Sequence, residues 1–391
     1  MKLEEDRIYL DHAATTPVRP EVFEAMAPYF HEFFGNAGSL HRFGRDAKKA
    51  IDTARSQVAA LIGADPRDIV FTSGGTEANN LAIRGLAAEN SRVMVSAVEH
   101  HSVLHAAKKL EKRNGIDVVL APVDSEGRVE SSAELPSVVD AEHGVQLRAT
   151  TEHRKRPTSL VSVMHGNNET GTIQPVEEIG SNCRDRGIPF HIDAVQSAGK
   201  ASINVSEMPV DLLSISAHTL YGPKGIGALY VRRDLPLQHQ IAGGSQERGR
   251  RAGTENVAAI VGFGMACELA QKEMEIESAR LRDLLCILED RLLESCPGTW
   301  VNGSREHRLP HILNIGFPGV EGEEVMMALD AKGIAVATGS ACTSGAIDPS
   351  HVLLAMGQNH TQAHSGVRFS LGRSTTLEAI EEVAAALHRV R

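Results

Sequence analysis

The chain has 391 residues, 42% hydrophobic, 23% charged and 4% aromatic, a composition that excludes a disordered or fibrous protein and a single small module. Forty Lys and Arg stand against fifty Asp and Glu, a formal charge of -10, which argues against broad non-specific nucleic-acid binding. The five cysteines form no CxxC pair and their odd number does not suit a disulfide framework, so the sequence predicts a reducing, cytoplasmic setting.

The start of the chain is acidic, and the longest apolar stretch, around Val257–Ala266, is short and interrupted by glycine. Neither an export signal nor a membrane anchor is predicted. From about Glu21 to Val231, amphipathic stretches alternate with short β-branched apolar runs, the pattern of a mainly parallel sheet covered by helices. Strands are predicted at Ile69–Thr72, Val93–Ser96, Val118–Ala121, Leu160–Met164, Phe190–Asp193, Leu212–Ser216 and Gly227–Val231. The crossover helices are Ala47–Ile62, Asn79–Ala88, Val103–Lys112 and Val176–Arg186. The polar stretch 140–157 is longer than a helix-to-strand link needs and reads as a surface insertion. After a Gly/Arg-rich segment at 243–254, a long helix from about Asn256 to Ser295 leads to a smaller α+β domain. Its elements include Ile312–Gly316, Glu323–Lys332, Val367–Ser370 and Leu377–Leu387.

Four clusters carry candidate chemistry, and three of them follow predicted strands, at whose carboxyl ends open α/β sheets bind ligands. In Thr72-Ser-Gly-Gly-Thr76, glycines between strand and helix allow close backbone approach, and the helix start offers free N–H groups to a phosphate. A plain capped turn reads the same way. In His191-Ile-Asp193-Ala-Val-Gln196, a buried strand ends in a carboxylate, which needs a cation such as a protonated pyridine nitrogen or else caps the next helix. Ser216 and His218 follow another strand, and could hold a phosphate or simply satisfy a loop. Cys342 sits among small residues in Gly-Ser-Ala-Cys-Thr-Ser-Gly, placed to be mobile and reactive. Cys183, Cys267, Cys286 and Cys296 lie in helical patterns and read as packing residues. Arg368, on a short strand, suits bidentate capture of a carboxylate or a surface salt bridge. No HExxH or Cys/His pair stands at zinc-ligand spacing, so no intrinsic metal site is indicated.

Together these segments resemble the NifS/IscS-like cysteine desulfurases of the class V aminotransferase family. The resemblance is carried by LDHAATTPV at 10–18, FGNAGSLHRFG at 34–44, FTSGGTEANN at 71–80, VEHH at 98–101, VSVMHGNNETG at 161–171, HIDAVQS at 191–197, YGPKGIGALYVRR at 221–233 and GSACTSG at 339–345. It implies the aspartate-aminotransferase-like fold of pyridoxal-phosphate enzymes. A large domain at 15–258 would hold a mainly parallel seven-stranded sheet, and a small α+β domain would take 1–14 and 259–391. By position, Asp193 pairs with the pyridinium nitrogen and Gln196 with the phenolic oxygen. Gly75, Thr76, Ser216 and His218 hold the phosphate, with Thr254 reaching in from the second subunit of a homodimer. His100 stacks on the ring and moves protons, while Asn168 and Arg368 orient the carboxylate of L-cysteine. Cys342 takes the sulfur as a persulfide, leaving alanine, and passes it to an iron–sulfur scaffold or another acceptor protein. Cys342 would also be the residue to share a cluster with such a scaffold.

One position departs from the pattern. Where the family has His-Lys, this chain reads His218-Thr219, so the lysine that anchors the cofactor as a Schiff base is missing, and Lys224 does not replace it because relatives carry both. Thr219 is then an introduced trap, or a natural residue in a protein that binds the cofactor non-covalently, or the mark of a catalytically silent sulfur-relay partner. A desulfurase feeding tRNA or DNA thiolation is the remaining alternative.

Overall fold

The computed structural model describes residues 7–112, 115–130, 156–339 and 349–388. Its core is a seven-stranded sheet built from β2 (Ile69–Thr72), β3 (Arg92–Ser96), β4 (Asp117–Ala121), β5 (Thr158–Ser162), β6 (Phe190–Asp193), β7 (Leu212–Ser216) and β8 (Gly227–Val231), in the order β2-β8-β7-β6-β5-β3-β4. Neighbours are parallel except where β8 runs against β2 and β7. Every residue of β6, β7 and β8 is buried, because strands covered on both faces need continuous apolar runs. Helices α2 (Arg42–Leu61), α3 (Gly75–Leu86), α4 (His101–Leu110) and α5 (Val176–Asp185) match the predicted crossovers, with no end moved by more than five residues and the start of α5 unmoved. The strand expected at Leu160–Met164 begins at Thr158 and ends at Ser162, where the chain leaves the sheet towards the cavity described below.

A second, four-stranded antiparallel sheet has the order β12-β13-β10-β9, from β9 (Trp300–Asn302), β10 (Ile312–Gly316), β12 (Ala337–Thr338) and β13 (Gly366–Ser370). Beside it, β1 (Ile8–Tyr9) pairs in parallel with β11 (Ile334–Ala335). Helices α1 (Pro20–Met26), α7 (Gly322–Asp330), α8 (His351–Ala355), α9 (His360–His364) and α10 (Leu377–His388) complete the described residues, together with α6 (Val257–Ser295). Helix α6 joins two apolar cores: Ala259, Ile260, Phe263 and Cys267 pack on the large sheet, whereas Leu281, Leu285, Leu288 and Leu292 pack with Val367 and Phe369. Among the described residues no helix is long and apolar enough to cross a membrane.

Of the cysteines read as packing residues, Cys183, Cys267 and Cys296 are buried, but Cys286 is exposed. It lies on the solvent side of α6, a side that the long helix's mixed pattern does not reveal. Cys342 and most of the 140–157 insertion fall outside the described residues; Arg156, at the end of the insertion, pairs with Asp117 at 2.8 Å.

Candidate active site

The carboxyl ends of β2, β6 and β7 open on a cavity of about 480 Å³. It takes in the two segments that sequence reasoning had treated separately, the glycine turn and the Asp193 turn. Strand β2 ends at Thr72, and Gly74 bends the chain with φ at 145°, a conformation that disfavours any side chain. Helix α3 starts at Gly75, where a Cβ would come within 2.7 Å of Val195 Cγ2. Only a glycine lets the helix start sit this close to the β6 turn, and its first N–H groups then face the cavity. Gly227, which the sequence did not single out, serves the same packing from β8: a Cβ there would meet Gly74 Cα at 2.8 Å.

Asp193 is buried at the end of β6, with Oδ1 accepting from Val195 N at 3.0 Å and Oδ2 from Asn79 Nδ2 at 2.7 Å. Burial pushes its carboxyl upward, against these hydrogen bonds and the nearby His100. A cationic partner in the cavity would reverse that. Gln196 Nε2 donates to Ala13 O at 2.8 Å, while Gln196 Oε1 and Ser216 Oγ are buried with no partner. Orphaned polar atoms that face a cavity call for a polar ligand. His218 and His100 also line it, and His100 caps α4.

Across the cavity, Arg368 donates from Nη2 to Asp11 Oδ1 at 2.7 Å and from Nη1 to Asn168 O at 2.8 Å, leaving Nε buried without a partner. Asp11 was missed by sequence reasoning because its contact spans most of the chain. Glu169, also missed, lines the cavity beside Asn168 and receives Ser350 Oγ at 2.5 Å; burial raises its carboxyl to about 7. Gly75, Thr76, Asn168, Asp193, Gln196, Ser216, His218, His100 and Arg368 all line the one cavity. Thr254 is exposed and outside it.

Thr219 is 1% exposed, and its hydroxyl donates to main-chain oxygens, 2.8 Å from Val195 O and 3.2 Å from Ser216 O. Its own carbonyl receives Lys200 Nζ at 2.9 Å, whereas Lys224 is exposed. Thr219 lines a separate, smaller cavity of about 50 Å³, with Lys200 and His12.

The chain matches the aminotransferase class-V family over residues 8–383. It belongs to that family. The protein named cysteine desulfurase IscS of Dictyoglomus turgidum is 45% identical over 387 residues, covering 98% of this chain and 94% of that protein. A solved NifS-like protein superposes with a TM-score of 0.87 at 34% identity, covering 98% of this chain and 99% of that one. A structure titled SspA in complex with cysteine superposes at 0.77 with 36% identity, over 93% and 98% of the two chains. Within the class-V aminotransferases the chain therefore falls with the NifS/IscS-like cysteine desulfurases, whose cofactor is pyridoxal phosphate. The cavity fits that group: a glycine turn at a helix start, a buried carboxylate, and two orphaned polar atoms. Position 219 is a threonine, whose hydroxyl cannot form a Schiff base.

Proposed function

We propose that this protein mobilises sulfur from L-cysteine, with Cys342 accepting it as a persulfide and passing it to an iron–sulfur scaffold. The observation that carries the reading is that Asp193, the α3 N-terminus and Arg368 face one cavity from three sides. Gly75, Thr76, Ser216 and His218 would hold the phosphate, Asp193 the ring nitrogen, Gln196 the phenolic oxygen, and His100 the ring face. Bound there, pyridoxal phosphate supplies an electron sink for the substrate carbon.

Arg368 Nε and Asn168 would bind the substrate carboxylate, since a buried guanidinium donor without a partner favours an anion. Cys342, as thiolate, attacks the substrate sulfur; a sulfur–sulfur bond forms, the carbon–sulfur electron pair passes to carbon, and a proton takes its place to leave alanine. Gly339 lines the cavity, and Cys342 follows it three residues on, a tether of about 10 Å at full extension.

The working unit is a cytoplasmic homodimer, with domains at 15–258 and at 1–14 plus 259–391, and Thr254 completing the phosphate site of the second subunit. The exposed apolar side chains Phe23, Phe30, Leu40 and the packed pair Phe34 and Phe43, with Leu40 91% exposed, support a covering subunit. The buried, main-chain-bonded hydroxyl of Thr219 favours a second reading, a sulfur-relay partner that does not turn over. Alanine and sulfide release from L-cysteine with added pyridoxal phosphate, in this protein and in Thr219→Lys, separates the two. Turnover by this protein supports catalysis with a non-covalent cofactor. Turnover by the Lys version alone marks Thr219 as an introduced trap or as the residue that silences a relay partner. Turnover by neither overturns the desulfurase reading.

A further inference from the structure

His100 stands at the N-terminus of α4 with its Nδ1 3.1 Å from Ser102 N and 2.7 Å from Ser102 Oγ. A backbone N–H only donates, so Nδ1 meets it with a lone pair and carries no proton. Ser102 Oγ in turn receives Asn79 Nδ2 at 2.8 Å, which leaves the hydroxyl proton directed at the same Nδ1. The second hydrogen of Asn79 Nδ2 goes to Asp193 Oδ2 at 2.7 Å. A carboxylate can only accept here, so the amide must present its nitrogen to Asp193. Asn79, Ser102 and Asp193 are 1%, 8% and 5% exposed, and the network joins α3, α4 and β6 without a solvent break.

We propose that Asn79 and Ser102 are positioning residues that hold His100 as a neutral ring with its proton on Nε2, so that it enters the cavity as a hydrogen-bond donor and not as a base. This rests on the reading of the cavity as the cofactor site. Protonating Nδ1 would set its hydrogen against two donors and place a cation at the positive end of α4. Burial lowers the ring's proton affinity; Asp193 on β6 opposes this, while His351 on α8 and His105 on α4 reinforce it. His101 on α4 and His218 after β7 are the other titratable groups near the ring. A neutral donor at a helix start is a known way to polarise a ligand oxygen at neutral pH. With Thr219 in place of lysine, a proton leaving the substrate must then be received by a group other than His100.

The test labels the eighteen histidines with ¹⁵N and records two-bond proton–nitrogen spectra with and without pyridoxal phosphate, assigning His100 by its loss in His100→Gln. The expected result is a bare Nδ1 and a protonated Nε2 that persist from pH 8 to well below the ordinary imidazole midpoint of about 6.5. Ser102→Ala should move the midpoint up by ~0.7 pH unit, the equivalent of the roughly 1 kcal/mol that a lost hydrogen bond is worth, whereas Ser102→Thr should leave it unchanged. A proton on Nδ1, a tautomer mixture, an ordinary titration, or no shift in Ser102→Ala overturns the proposal. The native spectrum decides the tautomer even where a variant folds poorly. It also decides it whether or not the protein releases alanine, so failure of the desulfurase reading remains separate.

Discussion

In the proposed function, Asp193 is the residue on which cofactor retention turns. Its carboxylate is buried, held by one backbone and one side-chain donor, and pushed upward by desolvation. A pyridinium nitrogen would restore the charge that burial opposes. Asp193→Ala should weaken pyridoxal phosphate binding roughly tenfold or more, the equivalent of about 1.4 kcal/mol, and change its visible absorption; equilibrium dialysis and spectra check this, and an unaltered spectrum would remove Asp193 from the site. Thr219 illustrates what a single position leaves open. The sequence shows that no lysine is there, but only the fold shows its hydroxyl turned to Val195 O and Ser216 O and absent from the large cavity's lining.

Among the elements, strand β2 matters most, because it is the edge of the large sheet and leads straight into the glycine turn. Its outward peptide groups are met by side chains: Phe71 N donates to Glu247 Oε2 at 2.9 Å, and Ile69 O receives Arg55 Nη1 at 2.8 Å and Arg248 Nη2 at 2.5 Å. Arg55 and Glu247 form a buried bidentate pair at 2.7 Å, with Arg55 over the Phe71 ring at 4.6 Å. Glu247 and Arg248 both take the left-handed conformation, φ 45° and 57°, at a cost of about 1–2 kcal/mol each that the pair helps offset. Arg251 binds Glu77 at 2.9 Å and ties the same segment to the start of α3. Arg55→Met would leave Glu247 buried and unpaired, so the expected loss is about 3–5 kcal/mol in urea unfolding. Arg55→Met with Glu247→Leu should lose less than the two single changes together. A single-variant loss below about 1 kcal/mol would show that the pair does not hold the edge.

For the whole molecule, the buried titratable groups set a pH window. Glu99 is fully buried, receives Ser96 Oγ and Met164 N, and is raised to about 8 by desolvation; Glu169 is raised to about 7. Such carboxyls bind their proton more tightly folded than unfolded, so stability falls as pH rises from the ordinary carboxyl range towards 8. His165 and His191, lowered by burial to about 4 and about 3, act on the other side. They stay neutral when folded but take protons when unfolded, so stability falls as pH drops below about 6.5. Thermal midpoints from pH 4 to 9 should therefore peak between about 5 and 6.5. Glu99→Gln should flatten the alkaline side by an amount on the order of a few kcal/mol; an unchanged alkaline slope would assign the loss to other groups.

The sequence by itself determined the strands of the large sheet, since runs such as Phe190–Asp193 and Leu212–Ser216 are buried on both faces and carry their own signal. It also determined the glycine turn after β2 and the order of the motifs, because glycine and capping residues act locally. It did not reveal that β8 runs antiparallel, that Cys286 faces solvent, or that short helices α8 and α9 line up after residue 348. Nor did it reveal the partners that complete the site. Asp11 meets Arg368 across 357 positions, Glu247 meets Arg55 across 192, and Asn79 meets Asp193 across 114. No periodicity or spacing encodes such pairs. They exist only once packed helices and strands bring distant side chains within hydrogen-bond reach, where loss of water makes each unpaired polar group costly and so selects its partner.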